Sequence, residues 1–255
     1  MKIVFIGAGN LATQLAIELD HLSFDIVQVY SRTIESAELL AEKIKAKPII
    51  NISDITNEAD LYIFSVKDTA LEDLASQLKP NNGLWLHTAG SVPMNIFKKY
   101  ATNYGVLYPF QTFSKDREVA WQKIPLFIEA SNEQSLNKLK AITNKLSDSV
   151  TYLSSEDRKY LHLTGVFACN FTNHMYALSE AILKKANLPF EIVLPLIDET
   201  AAKVHTLSPV QAQTGPAVRY DLNIINKHLE LIEDSKIREL YKLLSEDIHR
   251  SNQSS

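Results

Sequence analysis

The chain has 255 residues, of which 45% are hydrophobic and 22% charged, with 26 Lys plus Arg against 30 Asp plus Glu. The formal net charge of -4 gives no electrostatic reason to expect nucleic acid or an anionic membrane as the main partner. A single cysteine, Cys169, excludes an intramolecular disulfide, and no apolar run reaches the roughly 18 residues of a membrane span. We therefore expect a cytoplasmic protein with one large or two modest domains.

Short apolar runs alternate with helical patterns over residues 1–153. Because strands buried on both faces read as continuous apolar runs, this alternation predicts an α/β fold, a doubly wound and mostly parallel Rossmann sheet with helices on both sides. The predicted strands are Ile3–Ile6, Ile26–Tyr30, Pro48–Ile50, Leu61–Ser65, Leu84–His87, Val106–Tyr108, Leu126–Ile128 and Val150–Tyr152. The predicted helices between them are Leu11–Leu19, Ile34–Ile44, Thr69–Leu78, Met94–Tyr100 and Glu133–Leu146.

The hydrophobic period changes to a helical one after Leu153. Ser154 and the acids that follow it predict the start of a long helix, from about Glu156 to Ala186, which Asn187 ends. Further helices are predicted at about 190–207, 222–233 and 235–249. Residues 154–250 are therefore expected to form an all-α domain, with a disordered tail at 251–255.

A glycine motif joins the first predicted strand to the first helix. Gly7-Ala8-Gly9-Asn10-Leu11-Ala12 fits the pattern G-x-G-x-x-G/A, in which the first glycine permits a tight turn and the second lets the backbone approach a pyrophosphate. The helix N-terminus offers free N–H groups and a positive dipole end to the phosphates. The motif predicts dinucleotide binding by Gly7, Ala8, Gly9, Asn10 and Leu11. The alternative is a glycine turn in a Rossmann-like domain that binds no nucleotide.

The end of the second strand indicates which dinucleotide is bound. An acid at this point usually binds the ribose of NAD, whereas an arginine accommodates the 2'-phosphate of NADP. The sequence here is Val29-Tyr30-Ser31-Arg32-Thr33, which contains no acid. We therefore predict NADP, with its 2'-phosphate on Ser31, Arg32 and Thr33. The alternative is a helix cap beside a solvated arginine.

Three further loops follow predicted strands at the carboxyl edge of the sheet, where ligands bind in open parallel sheets. The residues predicted to face the nicotinamide half of the cofactor are Ser65, Val66, Lys67, Ala89, Gly90 and Ser91. A third loop, residues 109–113, follows the sixth strand. His87 is a candidate proton donor, because imidazole titrates near neutrality, but the alternative, a strand-end histidine satisfied by backbone groups, has at least equal weight.

Polar residues interrupt the long apolar helix. At 100° per residue, His162, Asn170 and Asn173 fall within about 80° of one another on one helix face. Buried polar groups require partners, which here could be substrate, the nicotinamide amide or another helix. Further along, Arg219 follows a glycine turn and could bind a carboxylate or phosphate of the substrate, or could pair with Asp221 and only fix the loop. The histidines show no metal-ligand spacing, so no metal site is expected.

The motifs resemble known families. Gly7–Ala12 together with Ser65-Val66-Lys67 resembles the pyrroline-5-carboxylate reductase branch of the 6-phosphogluconate and 3-hydroxyacid dehydrogenase superfamily. To about residue 232, the chain more closely resembles a bacterial family with a Rossmann-like NADP oxidoreductase domain and a helical C-terminal domain of unknown function. The segments that carry this resemblance are 87–91, 109–114, 168–171 and 214–216, with Arg219 and Asp221. Tyr108 and Tyr220 depart from the family pattern, which has His and Gly at these positions.

The resemblance implies NADP binding, a homodimer built through the helical domains and a substrate cleft between the two domains. The hydroxyacid dehydrogenase branch uses a lysine four residues before an asparagine, but Cys169 stands at that distance from Asn173, which disfavours that branch. Pyrroline-5-carboxylate reductases instead use hydroxyls near the cofactor, for which Thr214 is the positional candidate. We therefore expect an NADPH-dependent reductase of a small carbonyl, imine or acid. The alternative is a non-catalytic, dimeric NADP(H) sensor. The predicted catalytic residues are His87, Asn170, Asn173, Thr214 and Arg219.

Overall fold

The computed structural model describes residues 1–253. Contacts between Cα atoms divide the chain into two compact units, Met1–His174 and Met175–Ser255. This division falls inside the long helix predicted above, and the predicted domain boundary at 153/154 stays a prediction.

The first unit contains one eight-stranded sheet. Its strands are β1 (Lys2–Ile6), β2 (Asp25–Tyr30), β3 (Lys47–Ile49), β4 (Leu61–Phe64), β5 (Leu84–His87), β6 (Tyr104–Pro109), β7 (Leu126–Ala130) and β8 (Val150–Tyr152). Their order is β3-β2-β1-β4-β5-β6-β7-β8, and every neighbouring pair is parallel except β6 with β7. The predicted Rossmann fold is confirmed. The strand order reverses between β1 and β4, so a crevice for ligands is expected at their carboxyl ends.

Two hydrophobic cores cover the two faces of the sheet. Alternate residues of β1 enter different cores: Ile3 and Phe5 pack on one side, Val4 and Ile6 on the other. The helices of this unit are α1 (Asn10–His21), α2 (Ile34–Ile44), α3 (Leu71–Gln77) and α4 (Glu133–Leu146). Helices α1, α2 and α4 contribute to the first core and α3 to the second. The predicted helix Met94–Tyr100 is instead a single 3-10 turn at Met94–Phe97.

The long helix is continuous but not regular. It consists of α5 (Ser155–Gly165), a π-helical turn (Val166–Phe171) and α6 (Thr172–Lys185). Ser154 caps its start, since the Ser154 side chain accepts a hydrogen bond from the Asp157 N–H. In the π-turn the hydrogen bonds span five residues, so the turn holds one more residue than an α-turn. Every side chain after the turn is therefore displaced around the axis from the position that 100° per residue predicts.

The second unit is helical. After a 3-10 turn at Phe190–Val193 it contains α7 (Leu194–Lys203), α8 (Pro209–Ala212), α9 (Pro216–Arg219), α10 (Leu222–Leu231) and α11 (Ser235–Gln253). The predicted tail of disorder from residue 251 is helical as far as Gln253, where the Asn252 side-chain amide donates to the Ile248 carbonyl. Ser254 and Ser255 lie outside the described residues. Within residues 1–253, no helix is both long and apolar enough to cross a membrane.

Candidate functional site

A cavity of about 960 Å³ opens at the carboxyl ends of the parallel strands of the first unit. Segments that follow β1, β2, β4, β5 and β6 contribute to its wall, together with α5 and the π-turn. The sequence-predicted residues that line it are Gly7, Ala8, Gly9, Asn10, Leu11, Ser31, Arg32, Ser65, Val66, Lys67, Ala89, Gly90 and Asn170. Thr33, His87, Ser91 and Asn173 do not line it. The fold thus gathers most of the predicted cofactor residues around one space.

The glycine turn after β1 has the geometry of a phosphate cradle. Gly7 has a φ of +116°, and a Cβ placed there would lie 2.2 Å from the Ser65 carbonyl oxygen, so only glycine fits. A Cβ on Gly9 would meet no atom within 4 Å, which leaves the backbone there open to a ligand. No side chain caps the start of α1, so its first N–H groups remain available to an anion. These features fit the pyrophosphate of a dinucleotide.

The end of β2 carries hydroxyl groups and a cation into the same cavity. Ser31 and Arg32 line it, and so does Ser36, which the sequence analysis missed. Thr33 is the residue before α2 and donates a hydrogen bond from its hydroxyl to the Ser36 hydroxyl at 2.9 Å. Thr33 therefore contacts Ser36 and does not itself line the cavity. The three-residue spacing from Thr33 to Ser36, which spans the first turn of the helix, is the signal that could have identified Ser36.

The charges around the cavity are mainly positive. Its lining includes Arg32, Lys67 and Lys115, against a single acid, Asp68, among the residues described. Asp68 is in turn engaged by Ser91, whose hydroxyl donates to the Asp68 carboxylate at 2.6 Å. Ser91, predicted to contact the cofactor, thus joins the loops after β4 and β5 instead of lining the cavity. The excess of cations favours an anionic ligand.

His87 does not reach the cavity, and the prediction that it supplies a proton is not supported. The imidazole is fully buried against Phe97, with ring centroids 5.6 Å apart. Burial, aided by the positive charge of Arg158, lowers the pKa of His87 from 6.5 to about 3, while the Pro93 carbonyl acts weakly in the opposite direction. Its Nδ1 accepts from the Ala89 N–H at 3.2 Å. The second interpretation, a strand-end histidine that binds backbone, describes it better.

Tyr108 and His162 meet at the cavity wall, which the sequence analysis did not foresee. The Tyr108 hydroxyl lies 3.0 Å from His162 Nδ1, and both residues line the cavity. Tyr108 is near the end of β6 and His162 is in α5, separated by 54 positions in the chain. The partner predicted for the polar face of the long helix is thus a tyrosine of the sheet, at least for His162.

The π-turn changes which residues of the long helix face the cavity. Ala168, Cys169 and Asn170 of this turn line it, whereas Asn173 is exposed and does not. The prediction that Asn173 shares a face with His162 assumed a regular α-helix, and the extra residue of the π-turn breaks that spacing. π-turns within α-helices often occur at functional sites.

The remaining predicted residues, Thr214 and Arg219, belong to the second unit. Thr214 precedes α9, and Arg219 is the last residue of that helix. Asp221 caps α10 by accepting a hydrogen bond from the Ile224 N–H at 3.3 Å. The catalytic roles of Thr214 and Arg219 stay predictions.

The loop after β6 is fastened to α1. The Asn10 side-chain amide donates to the Phe113 carbonyl at 3.0 Å. The Gln14 amide donates to the carbonyls of Ser114 and Lys115 at 2.8 and 3.1 Å. The helix that begins at the glycine turn therefore also holds one wall of the cavity in place. Across residues 1–253, no cluster of three or more His, Cys, Asp or Glu side chains is arranged to bind a metal ion.

Two sequence families and several solved structures match the chain. Residues 2–85 match the family "NADP oxidoreductase coenzyme F420-dependent", and residues 124–248 match a domain of unknown function (DUF2520). A "putative NADP oxidoreductase" from Bacteroides fragilis is 53% identical over 98% of both chains, with a TM-score of 0.93. The chain belongs to the same family. No curated protein matches the sequence.

Structures with much lower sequence identity share the fold of this chain. A reductive aminase from Aspergillus terreus in complex with NADPH is 14% identical over 98% of this chain and 94% of its own, with a TM-score of 0.74. A 1-pyrroline-5-carboxylate reductase from Streptococcus pyogenes is 15% identical over 98% of both chains, with a TM-score of 0.61. The predicted resemblance to a family that joins an NADP oxidoreductase domain to a helical domain of unknown function is confirmed. The two more distant enzymes share only its fold.

Proposed function

We propose that the protein is an NADP(H)-dependent reductase of a small carbonyl, imine or acid substrate. The observation that carries the proposal is the composition of the cavity at the carboxyl ends of the parallel strands. The glycine turn at Gly7, the uncapped start of α1 and the cation of Arg32 all belong to it. A helix N-terminus and an arginine at this spacing suit the two anionic parts of NADP, the pyrophosphate and the 2'-phosphate.

NADP is favoured over NAD by the end of β2. An NAD site usually has a carboxylate there, and such a group would repel a 2'-phosphate. The hydroxyls of Ser31 and Ser36 can donate to phosphate oxygens, and Arg32 can pair with the dianion. When bound, the reduced nicotinamide supplies a hydride for the substrate carbon. The chain's own contribution is to orient both ligands, with Lys67 and Lys115 favouring a substrate that carries negative charge.

The coenzyme proposal is tested by a charge reversal at Arg32. Titration of protein with NADPH and with NADH, followed by coenzyme fluorescence, gives the two dissociation constants. Loss of charge-assisted hydrogen bonds worth about 1.5–3 kcal/mol should weaken NADPH binding in Arg32→Glu roughly 10- to 150-fold, with no loss of NADH binding. The matched control is Lys43→Glu, an exposed cation of α2 outside the cavity. Equal weakening of both coenzymes would contradict the assignment.

The reaction is tested separately, by NADPH oxidation against a panel of keto acids and cyclic imines. Tight NADPH binding without turnover on any member would favour the alternative, a non-catalytic NADP(H)-binding module. The family match over residues 2–85 supports a further experiment, because that family is described as dependent on coenzyme F420, a deazaflavin. Reduction of NADP by a reduced deazaflavin would be followed by the change in the nicotinamide spectrum. No binding of NADP(H) would exclude all three functions.

We also propose a homodimer that forms through the helical unit. Among the described residues of this unit, only one hydrophobic residue, Ile225, is buried. Large apolar side chains of the unit that are exposed include Ile182, Leu196, Leu222, Leu231, Leu243 and Leu244. Soluble proteins seldom leave so much apolar surface in water. Analytical ultracentrifugation should show a dimer. The dimer should dissociate in Leu231→Glu but not in the control Leu39→Glu, which changes an exposed leucine of α2. A monomeric wild type would contradict the proposal.

A further inference from the structure

The hydrogen bond between Tyr108 and His162 places two proton-carrying side chains at the cavity wall. The distance from the Tyr108 hydroxyl to His162 Nδ1 is 3.0 Å, and their rings meet edge to face with centroids 6.1 Å apart. Tyr108 is buried except where it borders the cavity, whereas His162 is half-buried. A hydroxyl that faces a cavity and is backed by an imidazole is a common arrangement for acid–base chemistry.

The backbone around the pair leaves room for it. A Cβ on Gly90 would lie 2.4 Å from His162 Nδ1, so the imidazole can lie against the loop after β5 only because residue 90 is glycine. Next to the pair, the Phe110 ring packs on Gly165, where a Cβ would lie 3.0 Å from the ring. Both glycines therefore allow α5 to lie close to the loops after β5 and β6, and the contact at Gly90 is the tighter of the two.

The ionisation of Tyr108 suits a proton donor. Burial raises the pKa of the Tyr108 hydroxyl above its usual value, and the positive charge of Arg158 opposes this effect. The hydroxyl therefore keeps its proton at neutral pH. The charge that acts on Tyr108 is that of Arg158 in α5, which pairs with Glu129 of β7 and also acts on His87 of β5. The other charged or titratable residues that line the same cavity are Arg32, Lys67, Asp68, Lys115 and Cys169.

We propose that Tyr108 and His162 form the proton-donating pair of this cavity. The proposal rests on the proposed reductase function and identifies the acid that the fully buried His87 does not provide. As the substrate carbon is reduced, the Oη–H bond of Tyr108 breaks and the proton binds the substrate oxygen or nitrogen. The Nδ1 proton of protonated His162 then moves to Tyr108 Oη, which leaves a neutral imidazole. His162 takes a proton from water and the pair is restored.

The pair is tested first without turnover. In 15N-histidine NMR of the NADPH complex, the His162 resonances are assigned by their loss in His162→Asn. A Tyr108→Phe variant should move the Nδ1 resonance of His162 and its titration midpoint, whereas the matched control Tyr104→Phe, on the same strand but outside the cavity, should leave both unchanged. An unaltered Nδ1 resonance and midpoint in Tyr108→Phe would overturn the pair, whatever the outcome for substrates.

The proton transfer is then tested with the panel substrate that is reduced fastest. Tyr108→Phe should lower kcat by about 10²- to 10⁴-fold while the dissociation constant of NADPH stays within about twofold. In the wild type, kcat should fall as the pH rises through the midpoint that NMR gives for His162. An asparagine at 162 can still donate to Tyr108 but cannot titrate, so His162→Asn should lose this pH dependence. A kcat within about threefold of wild type in Tyr108→Phe, or an unchanged pH dependence in His162→Asn, would overturn the transfer.

Discussion

A buried ion pair joins α5 to the sheet below the cavity, and its removal is the sharpest test of the structure. Arg158 donates from Nη1 to the Glu129 carboxylate at 2.8 Å and from Nη2 to the Val92 carbonyl at 2.6 Å. Ser155 donates to the same carboxylate at 2.6 Å and accepts from the Met94 N–H at 2.9 Å. Arg158 is 1% exposed and Glu129 7%. The first turn of α5 therefore depends on a charge pair that water does not reach.

Arg158→Met removes the cation and leaves the Glu129 carboxylate buried without its counter-charge. Breaking a buried pair in this way costs about 3–5 kcal/mol. For a unit of this size, that corresponds to a fall in melting temperature of roughly 6–20 °C. The assay is urea unfolding followed by tryptophan fluorescence. Both tryptophans, Trp85 and Trp121, are buried in the first unit, so the signal reports on that unit alone.

The double variant Glu129→Leu with Arg158→Met separates the cost of a lone charge from the loss of packing. Because Glu129→Leu also removes the buried carboxylate, the double variant should be clearly more stable than Arg158→Met. The exposed pair of Lys159 with Glu156 gives the control, and Lys159→Met should leave the unfolding midpoint unchanged. A loss below about 1 kcal/mol in Arg158→Met, or a double variant no more stable than the single one, would refute the reasoning.

Other perturbations address the buried histidine and the glycine turn. Because the pKa of His87 is lowered from 6.5 to about 3, the unfolded chain binds a proton in this range that the folded chain does not. The free energy of unfolding of the first unit should therefore fall by up to about 1.4 kcal/mol per pH unit as the pH drops through this window. Urea titrations at several pH values measure this slope. The slope should be smaller in His87→Asn than in the wild type, and unchanged in the exposed control His21→Asn. Gly9→Ala should fold normally yet bind NADPH at least about tenfold more weakly, while Gly7→Ala should lose about 1–3 kcal/mol or more of stability. Normal stability of Gly7→Ala, or normal NADPH affinity of Gly9→Ala, would count against the cradle.

The sheet was predictable because its strands are short apolar runs, and the central ones are buried on both faces. The first and fourth strands, Lys2–Ile6 and Leu61–Phe64, are almost wholly buried. A short, continuous apolar run is typical of such a strand in a parallel sheet. By contrast, the four-residue helices α8 and α9 contain too few turns to show a period. The segment Met94–Tyr100 is also short, so its pattern does not distinguish an α-helix from the single 3-10 turn that forms.

The candidate site was predictable where function depends on consecutive residues. The glycine turn at Gly7 and the cation at Arg32 are local signals, whereas burial of His87 depends on packing from distant segments. The contact of Tyr108 with His162 requires two elements 54 residues apart to meet, and no local pattern encodes that meeting. The sequence did not predict the π-turn either, because its residues have no distinctive composition. The prediction for Asn173 therefore assumed a regular α-helix.

The attachment of the loop after β6 to α1 has a consequence for how ligands exchange. Three hydrogen bonds from Asn10 and Gln14 hold this segment, and each contributes about 0.5–1.5 kcal/mol net. Swinging the loop outward would therefore cost about 1.5–4.5 kcal/mol, so fewer than about one molecule in ten would have it open at equilibrium. In the proposed reductase, any ligand exchange that requires this loop to open would be slowed by the same free energy, and a path past other parts of the rim would avoid that cost.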